Sequence, residues 1–114
     1  MKKFTFKLDG RVWLKTGDEK VLGRGRVELL ERIRDSGSIR QAALQMKMSY
    51  KQAWDMVNHL NTHFASPLVV SQRGGKGGGK AVLTEQGMRV ITYFHQLQRK
   101  FQEFLDSNEE GIDL

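Results

Sequence analysis

Residues Gly37 to Phe64 read GSIRQAALQMKMSYKQAWDMVNHLNTHF, and this stretch decides the fold. Ser38 stands three residues before Gln41, and Ser49 three before Gln52. Each pair fits a capping box, in which the Ser oxygen accepts from the third amide on and the Gln reaches back. Two helix starts are therefore expected eleven residues apart. The first helix should run from Ile39 to about Met46, with Ile39, Ala42, Ala43 and Met46 at the i, i+3, i+4, i+7 spacing of one buried face. The second turns Ala53, Trp54, Val57, Leu60 and Phe64 inward. Near its start it leaves Tyr50, Lys51, Gln52 and Asp55 outward, all able to bond a base edge or a phosphate. Two helices joined by three or four residues form the geometry that lays the second into a major groove, N-terminal residues nearest the bases. A short amphipathic hairpin also serves as plain core scaffolding, so the flanking sequence has to discriminate.

Working outward, Gly23-Arg24-Gly25 precedes a helix expected from about Arg26 to Asp35, with Val27, Leu30 and Ile33 as its buried stripe. Its arginines fit a solvated face, and Gly37 fits a left-handed cap. This element supports the helix pair, giving a three-helix core. On the other side Pro67 stops the second helix. Leu68-Val69-Val70 and Ala81-Val82-Leu83 are then short apolar runs flanking SQRGGKGGGK. Two strands around a Gly-rich basic loop make a β-ribbon, or wing. The loop lacks the G-x-x-x-x-G-K-[ST] spacing of a nucleotide cradle, because Ala81 follows Lys80 where a hydroxyl is needed. Arg73, Lys76 and Lys80 are better suited to a phosphate backbone, since glycine allows close approach and each cation displaces counterions.

Thr84 caps a final helix, with Glu85 well placed against the helix dipole. Along it Val90, Phe94, Leu97, Phe101 and Phe104 recur at alternating fours and threes, the seam of a short coiled coil. The domain body would cover part of that stripe and a second copy the rest, so a homodimer is expected. At the N-terminus, Phe4 to Lys15 fits a β-hairpin. A two-residue Asp9-Gly10 turn would pair Phe6 with Trp13. A three-residue loop with Gly10 left-handed pairs Phe6 with Val12 and Phe4 with Leu14, and is preferred because it gives one apolar face. Thr16 to Glu19 fits a second turn before a short strand at Lys20-Val21-Leu22.

A chain of 114 residues matches one ordinary domain. Residues 1–100 carry 19 basic against 8 acidic groups, a net +11, and five acids follow from Glu103 onward. A basic body with an acidic end suits a polyanionic partner. With no cysteine, disulfides and thiolate metal sites are excluded. No apolar run approaches the ~20 residues of a membrane span and no signal-peptide core is present, so a cytoplasmic location and no membrane partner are expected. His59 and His63 stand four apart on the second helix and could share a metal, but the sequence offers no obvious third ligand. No metal, cofactor or catalytic grouping is expected.

The strings SGSIRQAA (Ser36 to Ala43), MSYKQAWD (Met48 to Asp55) and LVVSQRGGKGGGKAVLTEQG (Leu68 to Gly87) closely resemble the N-terminal DNA-binding domain of the molybdate-responsive ModE regulators, a LysR-like winged helix. The resemblance covers roughly Gly23 to Leu105. It implies a domain that dimerises through its terminal helices, each copy placing a recognition helix in one half of a near-palindromic operator. The implied DNA contacts are Arg40, Gln41, Ser49, Tyr50, Lys51 and Gln52, with Lys76 and Lys80 on the wing, while Trp54 falls on the inner face. Full-length members continue into molybdate-binding domains. The sequence stops at Leu114, so no such domain is expected in this chain. The turn position often filled by Gly is Lys47 here, which costs about 1 kcal/mol if it must be left-handed.

The expected architecture is α+β: a winged helix-turn-helix with an N-terminal β-hairpin and a long C-terminal dimerisation helix. It divides into a hairpin extension at 1–22, a DNA-binding core at 23–83, a dimerisation helix at 84–108 and a disordered acidic tail at 109–114. The expected function is a homodimeric, sequence-specific transcription regulator that binds double-stranded DNA. The competing readings are a sequence-indifferent architectural nucleic-acid binder and an interaction module that pairs with a larger regulator.

Overall fold

The computed structural model describes residues 2–72 and 80–114. Its elements are β1 (Thr5–Phe6), β2 (Leu14–Thr16), β3 (Glu19–Leu22), α1 (Arg24–Ser36), α2 (Ile39–Gln45), α3 (Tyr50–Thr62), β4 (Val69–Gln72), β5 (Lys80–Leu83), α4 (Glu85–Asp106) and β6 (Ile112–Asp113). The fold is mixed α and β, with three two-stranded antiparallel sheets around a helical core. It has the winged helix-turn-helix layout expected from the sequence.

The serine half of each capping box forms, but neither Gln side chain reaches back to the cap amide, and Ser38 N donates to Ser36 Oγ instead. Ser38 Oγ accepts from Gln41 N at 3.0 Å, and Ser49 Oγ accepts from Gln52 N at 3.0 Å. Gly37 takes φ +70° and donates its N–H to Ile33 O, closing α1. Between α2 and α3 the chain turns through Lys47 at φ +56°, the conformation anticipated for that position. Lys47 N donates to Leu44 O and Met48 N to Ala43 O, at 3.1 and 3.0 Å. These are the two bonds of a Schellman termination, built here on a residue that carries a Cβ.

The core gathers Leu29, Leu30 and Ile33 from α1, Ala42 from α2, Val57 and Leu60 from α3, Leu68, and Phe94 from α4. It extends to Val21 and Leu22 at the end of β3. The wing strands pair Val69 with Leu83 through Gln72 with Lys80. Ala81 N donates to Gly37 O at 3.0 Å, so β5 is anchored on the corner between α1 and α2. Thr84 does three things at the other end of the ribbon. Its hydroxyl donates to Pro67 O at 2.7 Å, its amide donates to Leu68 O, and its oxygen caps α4 by accepting from Gly87 N. Gly87 itself is required, because a Cβ there would meet Leu83 Cδ1 at 2.5 Å and Leu68 O at 2.6 Å.

The N-terminal hairpin differs from expectation. Phe4 to Lys15 does not fold on itself around Asp9-Gly10. The hairpin lies one turn later, β2 with β3, tightened by Gly17 at φ +59°. Phe6 pairs with Ile112 and Thr5 with Asp113, so two residues of the tail expected to be disordered form a strand with β1. The alternation that suggested a Phe4–Lys15 hairpin is matched by an apolar residue at Ile112, far away in sequence. Trp13 packs its ring on the bare backbone of Gly23 and lies under Lys20 Nζ, 4.9 Å from the ring centroid. A Cβ at Gly23 would occupy the space of that ring.

The molecule is elongated, 69 Å on its longest axis, with a radius of gyration of 18.1 Å. A compact chain of this length would have about 13 Å. The stripe along α4 is divided accordingly. Val90 and Phe94 belong to the chain's own core, Leu97 and Phe101 are half-buried, and Phe104 is 56% exposed. Val90 and Phe94 therefore lie under the chain itself and are not offered to a second copy, a correction to the five-residue seam. Among the described residues no helix is long and apolar enough to cross a membrane.

Candidate nucleic-acid interface

The candidate surface begins at the first turn of α3. Tyr50, Lys51 and Gln52 are exposed there, while Ala53 directly behind them is fully buried. The register of α3 is fixed by Ala53, Val57 and Leu60 in the core. That burial turns the preceding three side chains to solvent. Ser49 Oγ is engaged as the cap acceptor, which leaves its O–H free to donate. Gln52 has only its backbone N–H engaged in the cap.

Arg40, exposed at the start of α2, lays its guanidinium over the Tyr50 ring at 4.6 Å from the centroid. Tyr50 in turn meets Trp54 edge to face, with centroids 6.2 Å apart. This stack ties the start of α2 to the start of α3 and holds a cation beside the exposed turn. Trp54 is half-buried against the core, the position expected of it. Gln41 is exposed beside Arg40. Lys80 is exposed at the first position of β5, one residue from the amide that bonds Gly37 O at the head of α2. Arg40, Gln41, Tyr50, Lys51 and Gln52 thus sit at the two helix N-termini, and Lys80 lies beside the head of α2. Arg73 and Lys76 lie outside the described residues.

Lys51 Nζ is 2.8 Å from Asp55 Oδ2, an i,i+4 pair with both side chains well exposed. The hydrogen bond that Lys51 donates to Asp55, backed by the charge of that carboxylate, holds the Lys51 ammonium above its ordinary range. An exposed pair of this kind is worth little and gives way readily to a phosphate.

Two groups at the far end of α3 were not singled out by the sequence. Asn61 Nδ2 donates to Val69 O at 2.9 Å, and its Oδ1 accepts from Leu68 N and Val69 N at 2.9 and 3.2 Å. It locks the wing strand to the recognition helix. Only the tertiary fold brings these groups together, since α3 ends at Thr62, five residues before the expected stop at Pro67. The second is Glu19. From the head of β3 its carboxylate reaches His59 Nε2 at 2.6 Å and His63 Nε2 at 3.2 Å, supplying the third partner that the sequence did not offer to that histidine pair. The hydrogen bond with His59 holds the Glu19 carboxyl below the usual carboxylate range, against a small opposing effect of burial.

Three helices, a capped and exposed recognition-helix start, and a wing pinned to the helix corner define a winged helix-turn-helix DNA-binding domain. The model of bacterial regulatory helix-turn-helix proteins of the lysR family matches residues 25–88, more than half of the chain, and the chain belongs to that family. Within it the chain is ModE-like. It is 37% identical over 103 residues to the molybdenum transport protein ModE of Azotobacter vinelandii, covering 90% of this chain and 38% of that protein. It is 40% identical over 93 residues to the molybdenum-pterin-binding protein MopB of Rhodobacter capsulatus, covering 82% and 34%. It is 42% identical over 91 residues to the DNA-binding transcriptional dual regulator ModE of Escherichia coli K12, covering 78% and 35%. The chain therefore spans little more than a third of the length of these curated relatives. What it shares with them is the regulatory helix-turn-helix domain of this family.

Proposed function

We propose that the domain works as a homodimer on a near-palindromic operator, the start of α3 in the major groove and the wing along the backbone. The observation that carries this is the first turn of α3. It exposes Tyr50, Lys51 and Gln52 on a helix whose opposite side is fully buried, with Arg40 stacked beside them. Gln52 has the donor and acceptor that pair bidentately with adenine, and Lys51 can bond guanine O6 and N7. Arg40, Gln41 and Ser49 border this turn as backbone contacts. Lys80, with Arg73 and Lys76 in the loop before it, supplies charge that carries no sequence information.

The division of labour is 1–22 as an extension, 23–83 as the DNA-binding core and 84–108 as the dimerisation helix. Exposed Phe104 and Tyr93, with half-buried Leu97 and Phe101, form the face of α4 that a second copy would cover. Two copies reading two half-sites double the number of base contacts, which gives an operator symmetry matching the protein's.

Selection of bound duplexes from a random pool, followed by titration on the selected and a scrambled sequence, tests this. Gln52→Ala and Lys51→Ala should each reduce discrimination by ~1–3 kcal/mol. Lys80→Ala should weaken both duplexes alike and lower the slope of log K against log salt by about 0.9. Equal losses on both duplexes for the α3 variants would refute base reading by this turn.

A further inference from the structure

We propose that Glu19, His59 and His63 form a binding site for a divalent transition-metal ion of the zinc class, which fastens β3 to the C-terminal turn of the recognition helix. The three offer one carboxylate oxygen and two imidazole nitrogens, all within 4.8 Å of one another. Two ligands lie one helical turn apart on α3, and the third comes from a strand forty residues away. Nitrogen and carboxylate ligands in this combination favour zinc, cobalt, nickel or copper over magnesium and calcium.

The spacing fits one ion. With metal–ligand bonds of about 2.0–2.2 Å, neighbouring ligand atoms in a tetrahedral site stand roughly 3.3–3.6 Å apart. His63 Nε2 is 3.2 Å from Glu19 Oε2 and His59 Nε2 is 2.6 Å from Oε1, so the carboxylate must turn to give one oxygen to the ion, and the closer contact must open. The Glu19 side chain is 56% exposed and has room to do so. The two rings are stacked with centroids 4.1 Å apart, so both nitrogens already converge on the carboxylate. A fourth position is left for water.

The hydrogen bonding around His63 points to a cation. His63 Nδ1 lies 2.7 Å from His59 O, so the ring donates its proton to that carbonyl. His63 Nε2 faces Glu19 Oε2 at 3.2 Å, so either a second ring proton or a metal ion bridges the two, and a metal ion takes the place of that proton. A ring N–H donated to a backbone carbonyl is also the usual orienting contact of a metal-bound histidine. At His59 the structure holds a competitor. Arg26 NH1 sits 2.6 Å from His59 Nδ1 and also donates to Val21 O at 2.8 Å, which leaves the His59 proton on Nε2, directed at Glu19. Metal capture displaces that proton to solvent and requires Arg26 to release the ring. Removing Glu19 and removing Arg26 should therefore act in opposite directions on metal affinity, a signature that surface adsorption cannot produce.

The test is calorimetric titration of the full chain with Zn2+ alone, with Co2+ absorption as the spectroscopic readout. Wild type should take up one ion per chain, with the visible bands of tetrahedral Co2+. Glu19→Gln, a change at an exposed position that leaves the fold intact, and His63→Ala should each weaken binding at least tenfold. Arg26→Met, which keeps the packing of the stem, should strengthen it severalfold. Saturating Zn2+ should raise the melting temperature of wild type by several degrees and leave that of Glu19→Gln unmoved. Absence of saturable uptake by wild type, or uptake undiminished in both Glu19→Gln and His63→Ala, overturns the site.

Discussion

Lys47→Gly should make the protein more stable, and the size of the gain follows from one torsion. Lys47 has φ +56°, and among the described residues it is the one non-glycine in that half of the map. A left-handed L-residue bears a Cβ–carbonyl clash worth roughly 1–2 kcal/mol. Glycine relieves it but loses about 0.4–1 kcal/mol more backbone freedom on folding. The net gain is about 0.5–1 kcal/mol, or a rise of roughly 2–5 °C for a domain of this size. The surroundings permit the change, because Lys47 is exposed and both Schellman bonds are made by backbone groups that glycine retains. Lys47→Ala is the control: it removes the same charge, keeps the Cβ, and should melt close to wild type. Thermal unfolding followed by circular dichroism, at two salt concentrations to separate the charge effect, measures all three. A Lys47→Gly melting point at or below that of Lys47→Ala would refute the strain argument. It would mean that the α2–α3 turn relaxes away from the left-handed conformation in solution.

Other consequences concern the two ends of α3 and the outer part of α4. Asn61→Ala leaves three backbone groups of Leu68 and Val69 without their partner, at a cost of roughly 2–4 kcal/mol, visible as a lower urea midpoint with unchanged slope. Asp55→Asn releases Lys51 from its ion pair and removes an acid from the DNA-facing turn, so affinity for scrambled duplex should rise severalfold at low salt, by fluorescence anisotropy. Phe104→Asp should shift the sedimentation coefficient toward monomer with little loss of monomer stability, whereas Phe94→Ala, fully buried, should cost roughly 3–5 kcal/mol.

Local chemistry was legible in the sequence and distant pairing was not. Ser38, Ser49, Thr84 and Gly37 act on groups three or four residues away, so their caps could be read directly and each is present. Lys47 belongs with them, since a turn between two capped helices has few conformations open to it. The N-terminal strand failed for the opposite reason. Phe4, Phe6 and Leu8 alternate as any half-buried strand does, and alternation does not name the partner. Ile112, more than a hundred residues on, was hidden in a tail whose acidity suggested disorder. The α4 stripe was expected to face two covers, but its period could not say which of its residues the chain's own body takes. Burial gives Val90 and Phe94 to the chain's own core and leaves Phe104 outside. Glu19 and Asn61 escaped notice because each acts only across the fold.

On the function proposed above, these two residues bear on how the first turn of α3 would discriminate bases. A bidentate contact tolerates errors of only a few tenths of an ångström, so the helix that carries Gln52 must be held against rotation about its own axis and against tilting. Rotation is resisted by Ala53, Val57 and Leu60, which are fully or almost fully buried. Tilting is resisted at the opposite end from the reading turn, where Asn61 ties the helix to β4 and the His59–Glu19–His63 cluster ties it to β3. Anchors there act on the longest lever available in a 13-residue helix, and they leave the N-terminal turn with only the Arg40–Tyr50–Trp54 stack and the weak Lys51–Asp55 pair as side-chain contacts. Loosening either anchor should therefore degrade discrimination between operator and scrambled duplex more than it degrades total affinity, because backbone contacts depend on charge and tolerate small displacements.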